Sequence, residues 1–328
     1  MKIADDALLN PASSLRQSRE LGSAIALSDI CTRLFTRGAV ALAVALFLSA
    51  GAAAREPWAN IRFPQDVVKW WWDADWWGHG TIPVPANHAV RTRTASYRSG
   101  DVEVPAEIHV PRGPGRFPVV VFLHGRRGID EATRLAPLRL AARGFTVVAP
   151  DLFSGRFIDQ FPIRHDPALE DDAAAAIDFA LALPEARGQL KTCVVSHTRG
   201  GYYSLKALVT KARQDKAACY VSYYPHWQHP EAPEPMQVYQ YAPEVDELRV
   251  PVLVFFGEHE QYQRYRPILA GIESLRSKQR DARVIVYPGV GRGFDFRPRE
   301  LRTLADDIAT QDSLVRSAAF LRKHLGGK

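Results

Sequence analysis

Three positions in the second half of the chain have side chains that could take part in hydrolytic chemistry. The segment Ser-His-Thr-Arg-Gly-Gly at 196–201 has small residues on both sides of a hydroxyl, and this layout permits a sharp turn from a strand into a helix with Thr198 at its apex. Glu260 follows the apolar run VLVFF, and Arg292 lies in the segment Tyr-Pro-Gly-Val-Gly-Arg-Gly-Phe. Each of these segments follows an apolar run that is typical of a strand, so their side chains are candidates for one common site.

The elements that must position these residues alternate between strands and helices. Two alternating segments predict an antiparallel hairpin, and apolar runs then predict further strands between amphipathic stretches. The predicted hairpin strands are 92–97 and 102–110, and the later strands are 118–123, 145–149, 190–195, 218–224, 252–257 and 283–287. The predicted helices are 131–143, 167–183, 199–211, 265–277 and 303–325. This order predicts an α/β fold with a mostly parallel, doubly wound sheet and helices on both faces.

Ligands of such sheets bind at the carboxyl ends of the strands. His124 and Gly125 directly follow the strand at 118–123. Backbone N–H groups at such a strand end commonly contribute to an oxyanion hole. We therefore expect both residues at the ligand-binding edge.

Arginines also follow the predicted strand ends. They are Arg126, Arg127, Arg199 and Arg292. Together with the N–H groups at the start of the helix after Thr198, they would favour a carboxylate or phosphate ligand. The alternative is that some of them only form ion pairs with Asp151, Glu258 or Glu260.

From about Ser96 to Leu325 the chain resembles the dienelactone hydrolases. The shared features are the His-Gly strand end at 124–125, the Ala-Pro-Asp-Leu segment at 149–152, the turn at Thr198 and the Tyr-Pro-Gly approach to Arg292. The resemblance implies an α/β-hydrolase fold and hydrolysis of carboxylic esters or lactones. It also implies that Thr198, Glu260 and Arg292 occupy positions where the family carries Cys or Ser, Asp and His.

These substitutions predict weak or altered activity. Arginine stays protonated at neutral pH and cannot accept a proton. A hydroxyl without a base is a poor nucleophile, and the β-methyl of Thr198 restricts its rotamer. Enzymes that lose a triad member keep only about 10³- to 10⁴-fold of acceleration over water. The alternative function is a catalytically silent exported protein that binds a small anionic ligand or a partner protein.

Another histidine at the same edge could replace the missing base. His197, His226, His229 and His259 all lie near predicted strand ends. His226 is the best candidate, because its loop should overlook Thr198. His226 and His229 could also be a metal pair, but two histidines without further ligand spacing are weak evidence.

Composition and local motifs limit the possible partners. The formal net charge is +6 in 328 residues, and the basic residues are scattered rather than clustered as in a nucleic-acid-binding tract. The sequence has no nucleotide fingerprint, phosphate-binding glycine loop or convincing metal cluster. We therefore expect a small-molecule substrate or ligand, no cofactor, no metal and no nucleic acid.

The first 95 residues divide into two segments. Residues 1–54 are predicted to be a leader and a secretory signal, because Arg33 and Arg37 precede the apolar, small-residue run at 38–54. The predicted location is therefore periplasmic or extracellular; in the alternative, an uncleaved segment anchors the protein to a membrane. Residues 55–95 are tryptophan-rich and either pack on the main domain or form a stacking platform for a ligand. The hydrolase-like domain is assigned to 96–328.

The chain has three cysteines, Cys31, Cys193 and Cys219. Cys31 would leave with the signal. Cys193 and Cys219 lie in apolar strand-like runs, where a free cysteine usually packs as a small hydrophobe. The sequence therefore predicts no structural disulfide.

Overall fold

The computed structural model describes residues 88–186, 188–233 and 236–326. The interpretations of the leader, the signal and most of the tryptophan-rich segment lie outside these residues. Eight strands form a single sheet in the described part of the chain. They are β1 (Val90–Ser99), β2 (Val102–Pro111), β3 (Val119–Leu123), β4 (Thr146–Pro150), β5 (Thr192–His197), β6 (Ala217–Tyr223), β7 (Val252–His259) and β8 (Ala282–Gly291).

The sheet has the predicted doubly wound topology. Its strand order is β1-β2-β4-β3-β5-β6-β7-β8. β1 and β2 form the predicted antiparallel hairpin, β2 pairs antiparallel with β4, and the remaining neighbours are parallel. Every residue of β3, β4 and β5 is buried, as expected for strands that helices cover on both faces. β1 starts at Val90, ahead of the sequence-based domain boundary at Ser96.

The helices lie in two layers. α1 (Glu131–Ala142) contacts α7 (Leu304–Leu325), while α2 (Ala168–Ala182) contacts α3 (Gly200–Leu205). α6 (Tyr262–Ser277) packs against β8. α4 (Met236–Tyr239) and α5 (Glu244–Glu247) were not predicted, because four residues are too short to show a helical period. None of the described helices has the length and apolarity that a bilayer crossing requires.

The helix predicted at 199–211 is α-helical only as far as Leu205. It continues as a π-helical turn at Lys206–Thr210. Such turns are often found as single bulges within α-helices. The apolar periodicity indicated the helix correctly but not this change in its hydrogen bonding.

Cys193 and Cys219 form a disulfide, so the prediction of two free cysteines was wrong. They are direct partners in the parallel pairing of β5 with β6, and their Cα atoms are 4.7 Å apart. This separation lies within the range that a disulfide can bridge. The sequence indicated two apolar strands but not their register, and the register places the two sulfur atoms together.

Candidate active site

Six parallel strands end at the same edge of the sheet. These are β3, β4, β5, β6, β7 and β8. The residues that follow them include Gly125, Thr198, His226, Glu260 and Arg292. The topology thus brings the sequence-predicted positions to one edge, and the side-chain contacts there decide which of them act together.

Thr198 lies at the apex of a sharp turn between β5 and α3. Its φ is 48°, in the left-handed region, where a non-glycine residue is strained by about 1–3 kcal/mol. The backbone around it holds this conformation, because Thr198 O accepts hydrogen bonds from Gly201 N at 3.0 Å and from His226 N at 2.8 Å. A Cβ on Gly200 would overlap the carbonyl oxygen of Leu123. The nucleophile position therefore has the strand-to-helix geometry that a hydrolase needs.

The Thr198 hydroxyl lies against the backbone of Gly125. A Cβ on Gly125 would overlap Thr198 Oγ1, so only glycine leaves space for the hydroxyl here. The His124 ring is used elsewhere. Its Nε2 accepts a hydrogen bond from Leu152 N at 3.0 Å, and its Nδ1 donates to Gly125 O at 2.7 Å. Burial lowers the pKa of His124, which is consistent with a neutral structural ring that faces the interior.

Glu260 and Arg292 form an ion pair. Arg292 Nη1 donates to Glu260 Oε1 at 3.0 Å, and the Glu260 side chain is 0% exposed while that of Arg292 is 19% exposed. The same carboxylate oxygen accepts a hydrogen bond from Gln261 N at 2.8 Å. The Arg292 guanidinium also lies 5.5 Å from the centre of the Tyr224 ring. Arg292 therefore balances the charge of the buried Glu260 carboxylate.

The Thr198 hydroxyl makes no hydrogen bond with a described residue. His226 contacts Thr198 through its backbone N–H, but its ring does not hydrogen-bond the hydroxyl. The Nε2 atom of His226 is buried and has no hydrogen-bond partner among the described residues. Within this part of the chain no histidine nitrogen is hydrogen-bonded to the Thr198 hydroxyl.

The other three histidines are dispersed. His197 points into the interior, with its Nε2 3.4 Å from Asp295 Oδ2. His229 Nδ1 accepts a hydrogen bond from Glu231 N at 3.2 Å. His259 is exposed. No group of three metal-ligating side chains occurs among the residues that the structure describes.

Two of the predicted arginines hold a neighbouring loop. Arg126 donates to Phe161 O at 2.7 Å and to Pro162 O at 2.9 Å. Arg199 Nη1 donates to the same Pro162 carbonyl at 3.1 Å. Both guanidinium groups therefore have a fixed orientation at the edge of the site.

The ion pairs differ from those considered in the sequence. Arg127 pairs with Asp130. Asp151 accepts hydrogen bonds from backbone N–H groups within its own turn, and Glu258 accepts from Gly289 N at 2.9 Å. Of the three carboxylates suggested as arginine partners, Glu260 is the one for which the described residues show an arginine pair.

Arg264 is a further arginine of the site that the sequence analysis missed. It lies in the first turn of α6, which follows β7 at the same edge of the sheet. The helix was predicted to begin at Tyr265, so this residue was assigned to the preceding loop. Its Nη1 is buried without a hydrogen-bond partner among the described residues. Burial, and then the nearby Arg292, lower the pKa of Arg264 to about 10.

Four arginines lie within electrostatic range of His226. Burial lowers the pKa of His226 well below its usual value, and the charges of the four arginines lower it further, in the order Arg264, Arg292, Arg199 and Arg126. A ring in this environment is neutral at pH 7. The site is therefore electropositive around a neutral imidazole.

The fold and the strained turn at Thr198 define an α/β-hydrolase. The family model of the dienelactone hydrolase family matches residues 104–325, and the chain belongs to this family. No curated protein matches the chain at a significant level.

Solved esterases share the fold. The chain is similar to a hyperthermophilic esterase from Pyrobaculum calidifontis, with 20% identity, a TM-score of 0.56, and 73% of this chain and 85% of that chain covered. A dienelactone hydrolase-like promiscuous phosphotriesterase from metagenomic libraries matches with 20% identity and a TM-score of 0.55, over 71% of this chain and 99% of that one. A bacterial brefeldin A esterase matches with 20% identity and a TM-score of 0.57, over 76% and 81%.

Proposed function

We propose that this protein is a carboxylic ester or lactone hydrolase by descent in which triad hydrolysis is weak or lost. The observation that carries the proposal is the Arg292–Glu260 ion pair at 3.0 Å. It joins the positions that correspond to the base and the acid of the family, and neither partner can then serve Thr198. The left-handed conformation of Thr198 supports the view that the scaffold for hydrolysis is otherwise retained.

The missing base determines the expected rate. A threonine hydroxyl must lose its proton as it attacks, and a permanently protonated guanidinium cannot accept it. Stabilisation of the transition state by backbone N–H groups would remain, so the expected residual acceleration is at most about 10³- to 10⁴-fold over water.

Hydrolysis of p-nitrophenyl acetate by three proteins tests this proposal. The wild type and Thr198→Ala should have equally low rates, because Thr198 is not activated. The double variant Thr198→Ser with Arg292→His supplies a nucleophile and a base next to Glu260, and we expect its rate to rise. A wild-type rate that Thr198→Ala abolishes would contradict the proposal.

A silent ligand-binding protein is the second candidate. It is favoured by the four arginines in electrostatic range of His226. Glu260 pairs with only one of them, Arg292. A bound anion would balance the remaining positive charge. Thermal denaturation with and without millimolar carboxylates or phosphates tests this candidate, and the absence of any stabilisation would count against it.

We also propose that the protein is exported. Two observations support this: the signal-like pattern at 38–54, and the disulfide between Cys193 and Cys219, a bond that usually persists in oxidising compartments. Amino-terminal sequencing of the mature protein should show cleavage after the Ala52–Ala54 run. Recovery of the uncleaved chain in the membrane fraction would instead indicate an anchor.

A further inference from the structure

Three buried nitrogen atoms at the strand-end edge lack partners among the described residues. They are Arg199 Nε, His226 Nε2 and Arg264 Nη1. Arg199 and His226 are each only 4% exposed. A buried polar atom without a partner is destabilising. The three residues follow the adjacent strands β5, β6 and β7, so their unpaired donors are candidates for contact with one ligand.

The charges around these atoms are unbalanced. Arg292 is paired with Glu260. Arg126 and Arg199 contact neutral carbonyl groups rather than carboxylates. Arg264 makes no ion pair with a described residue. Its acidic electrostatic neighbour is Glu260, which already pairs with Arg292, and that of Arg199 is Glu231. The site therefore holds about three positive charges that a singly charged ligand would only partly offset.

We propose that Arg199, Arg264 and His226 form a binding site for the dianionic phosphate group of a phosphate monoester. This proposal rests on the second candidate function and specifies its ligand. The guanidinium fork matches phosphate oxygens, and the neutral imidazole adds a donor. The three donors lie at the ends of the adjacent strands β5, β6 and β7, where one compact group with two negative charges would contact all of them.

The site is prearranged for such a ligand. Arg126 and Arg199 are oriented by the carbonyls of Phe161 and Pro162, so their side chains lose little further freedom on binding. Arg264 lies in the first turn of α6. The ligand thus meets donors from three separate elements.

Calorimetric titration of the full protein with methyl phosphate and with dimethyl phosphate tests the charge of the ligand. Methyl phosphate carries close to two charges at pH 8, because the second pKa of a phosphate monoester is about 6, whereas dimethyl phosphate carries one. We expect methyl phosphate to bind at least about ten-fold more tightly. Equal affinities, or no binding of methyl phosphate at millimolar concentration, would overturn the proposal.

Substitution of Arg264 tests the position of the site. Arg264→Met should weaken methyl phosphate binding by about ten-fold or more, as expected for the loss of a charge-assisted hydrogen bond. Arg264→Lys keeps the charge, and its affinity for methyl phosphate should lie between those of the wild type and Arg264→Met. The matched control is Arg266→Met on the same helix, because Arg266 is exposed and stacks on Tyr239 and Tyr262; it should bind as the wild type does.

The outcomes separate this inference from the proposed loss of hydrolysis. Thr198-dependent ester hydrolysis in a protein that also binds methyl phosphate would refute the proposed loss of hydrolysis but not the phosphate site. If Arg264→Met and Arg266→Met bind equally well while both stay folded by circular dichroism, the phosphate site is refuted and the hydrolysis result stands. If Arg264→Met does not fold, the binding of Arg264→Lys decides.

Discussion

Substitution of Arg292 by methionine should destabilise the protein more than loss of an ordinary surface arginine. The Glu260 side chain is fully buried, and Arg292 is its charged partner at 3.0 Å. Without Arg292, the carboxylate keeps one hydrogen bond from a described residue, that of Gln261 N at 2.8 Å. Breaking a buried ion pair from one side costs about 3–5 kcal/mol. We expect the lower end, about 3 kcal/mol, because Arg292 is 19% exposed.

Denaturation by urea, followed by circular dichroism, measures this loss. For a domain of this size, about 3 kcal/mol corresponds to a fall in Tm of roughly 6–12 °C. Glu260→Gln removes the buried charge, so adding Arg292→Met to it should cost about 2 kcal/mol less than Arg292→Met alone. This difference identifies the ion pair as the cause.

Arg283→Met is the matched control. Arg283 lies in β8, the strand that Arg292 directly follows. It pairs with Asp281 at 2.9 Å, but its side chain is 52% exposed. A surface pair of this kind contributes at most about 1 kcal/mol. If Arg292→Met is no more destabilising than Arg283→Met, the guanidinium is not the partner of a buried carboxylate and the reasoning fails.

Three further results are expected. Gly125→Ala should lower the free energy of unfolding by about 1–3 kcal/mol, because its Cβ would overlap the Thr198 hydroxyl. Thermal denaturation should show that adding Thr198→Ala restores part of this stability. If it restores none, the hydroxyl does not lie against Gly125. Burial lowers the pKa of His109 from 6.5 to about 4. The unfolded chain therefore binds a proton in this window that the folded chain does not. The free energy of unfolding should fall by up to about 3 kcal/mol as the pH drops from 6.5 to 4. Urea titrations at several pH values should show a smaller fall for His109→Asn. An equal fall in the wild type and in His109→Asn would refute this prediction. Reduction of the Cys193–Cys219 bond, which spans 26 residues, should lower the free energy by roughly 3 kcal/mol; dithiothreitol should shift the urea midpoint of the wild type but not of a variant with both cysteines changed to alanine.

The sequence predicted the sheet and its strand ends well, because apolar runs and helical periods are local patterns. The turn at Thr198 could be located from its small neighbours in the same way. The pairing of Arg292 with Glu260 was only one of several possible pairings, since β7 and β8 must first be adjacent. Arg264 was missed because the start of α6 was placed three residues late, at Tyr265 instead of Tyr262. The Cys193–Cys219 bond depended on the register of β5 with β6, which no local pattern reveals.

The histidines show the same limit of prediction from sequence. His226 was chosen as a substitute base because its loop follows β6, and the structure does place its backbone beside Thr198. The direction of a ring depends on packing and on neighbouring charges, and the charged neighbours of His226 come from segments far apart in the sequence, at Arg126, Arg199, Arg264 and Arg292. A strand-end position therefore predicts proximity to the site but not a hydrogen bond to Thr198.

Covalent labelling of Thr198 is the most direct measurement of the central claim that its hydroxyl lacks a base. The protein would be incubated with a fluorophosphonate and its intact mass recorded, with the Thr198→Ser, Arg292→His variant as the positive control. We expect no adduct on the wild type and an adduct on the double variant. An adduct on wild-type Thr198 would show that its hydroxyl is activated and would contradict the account.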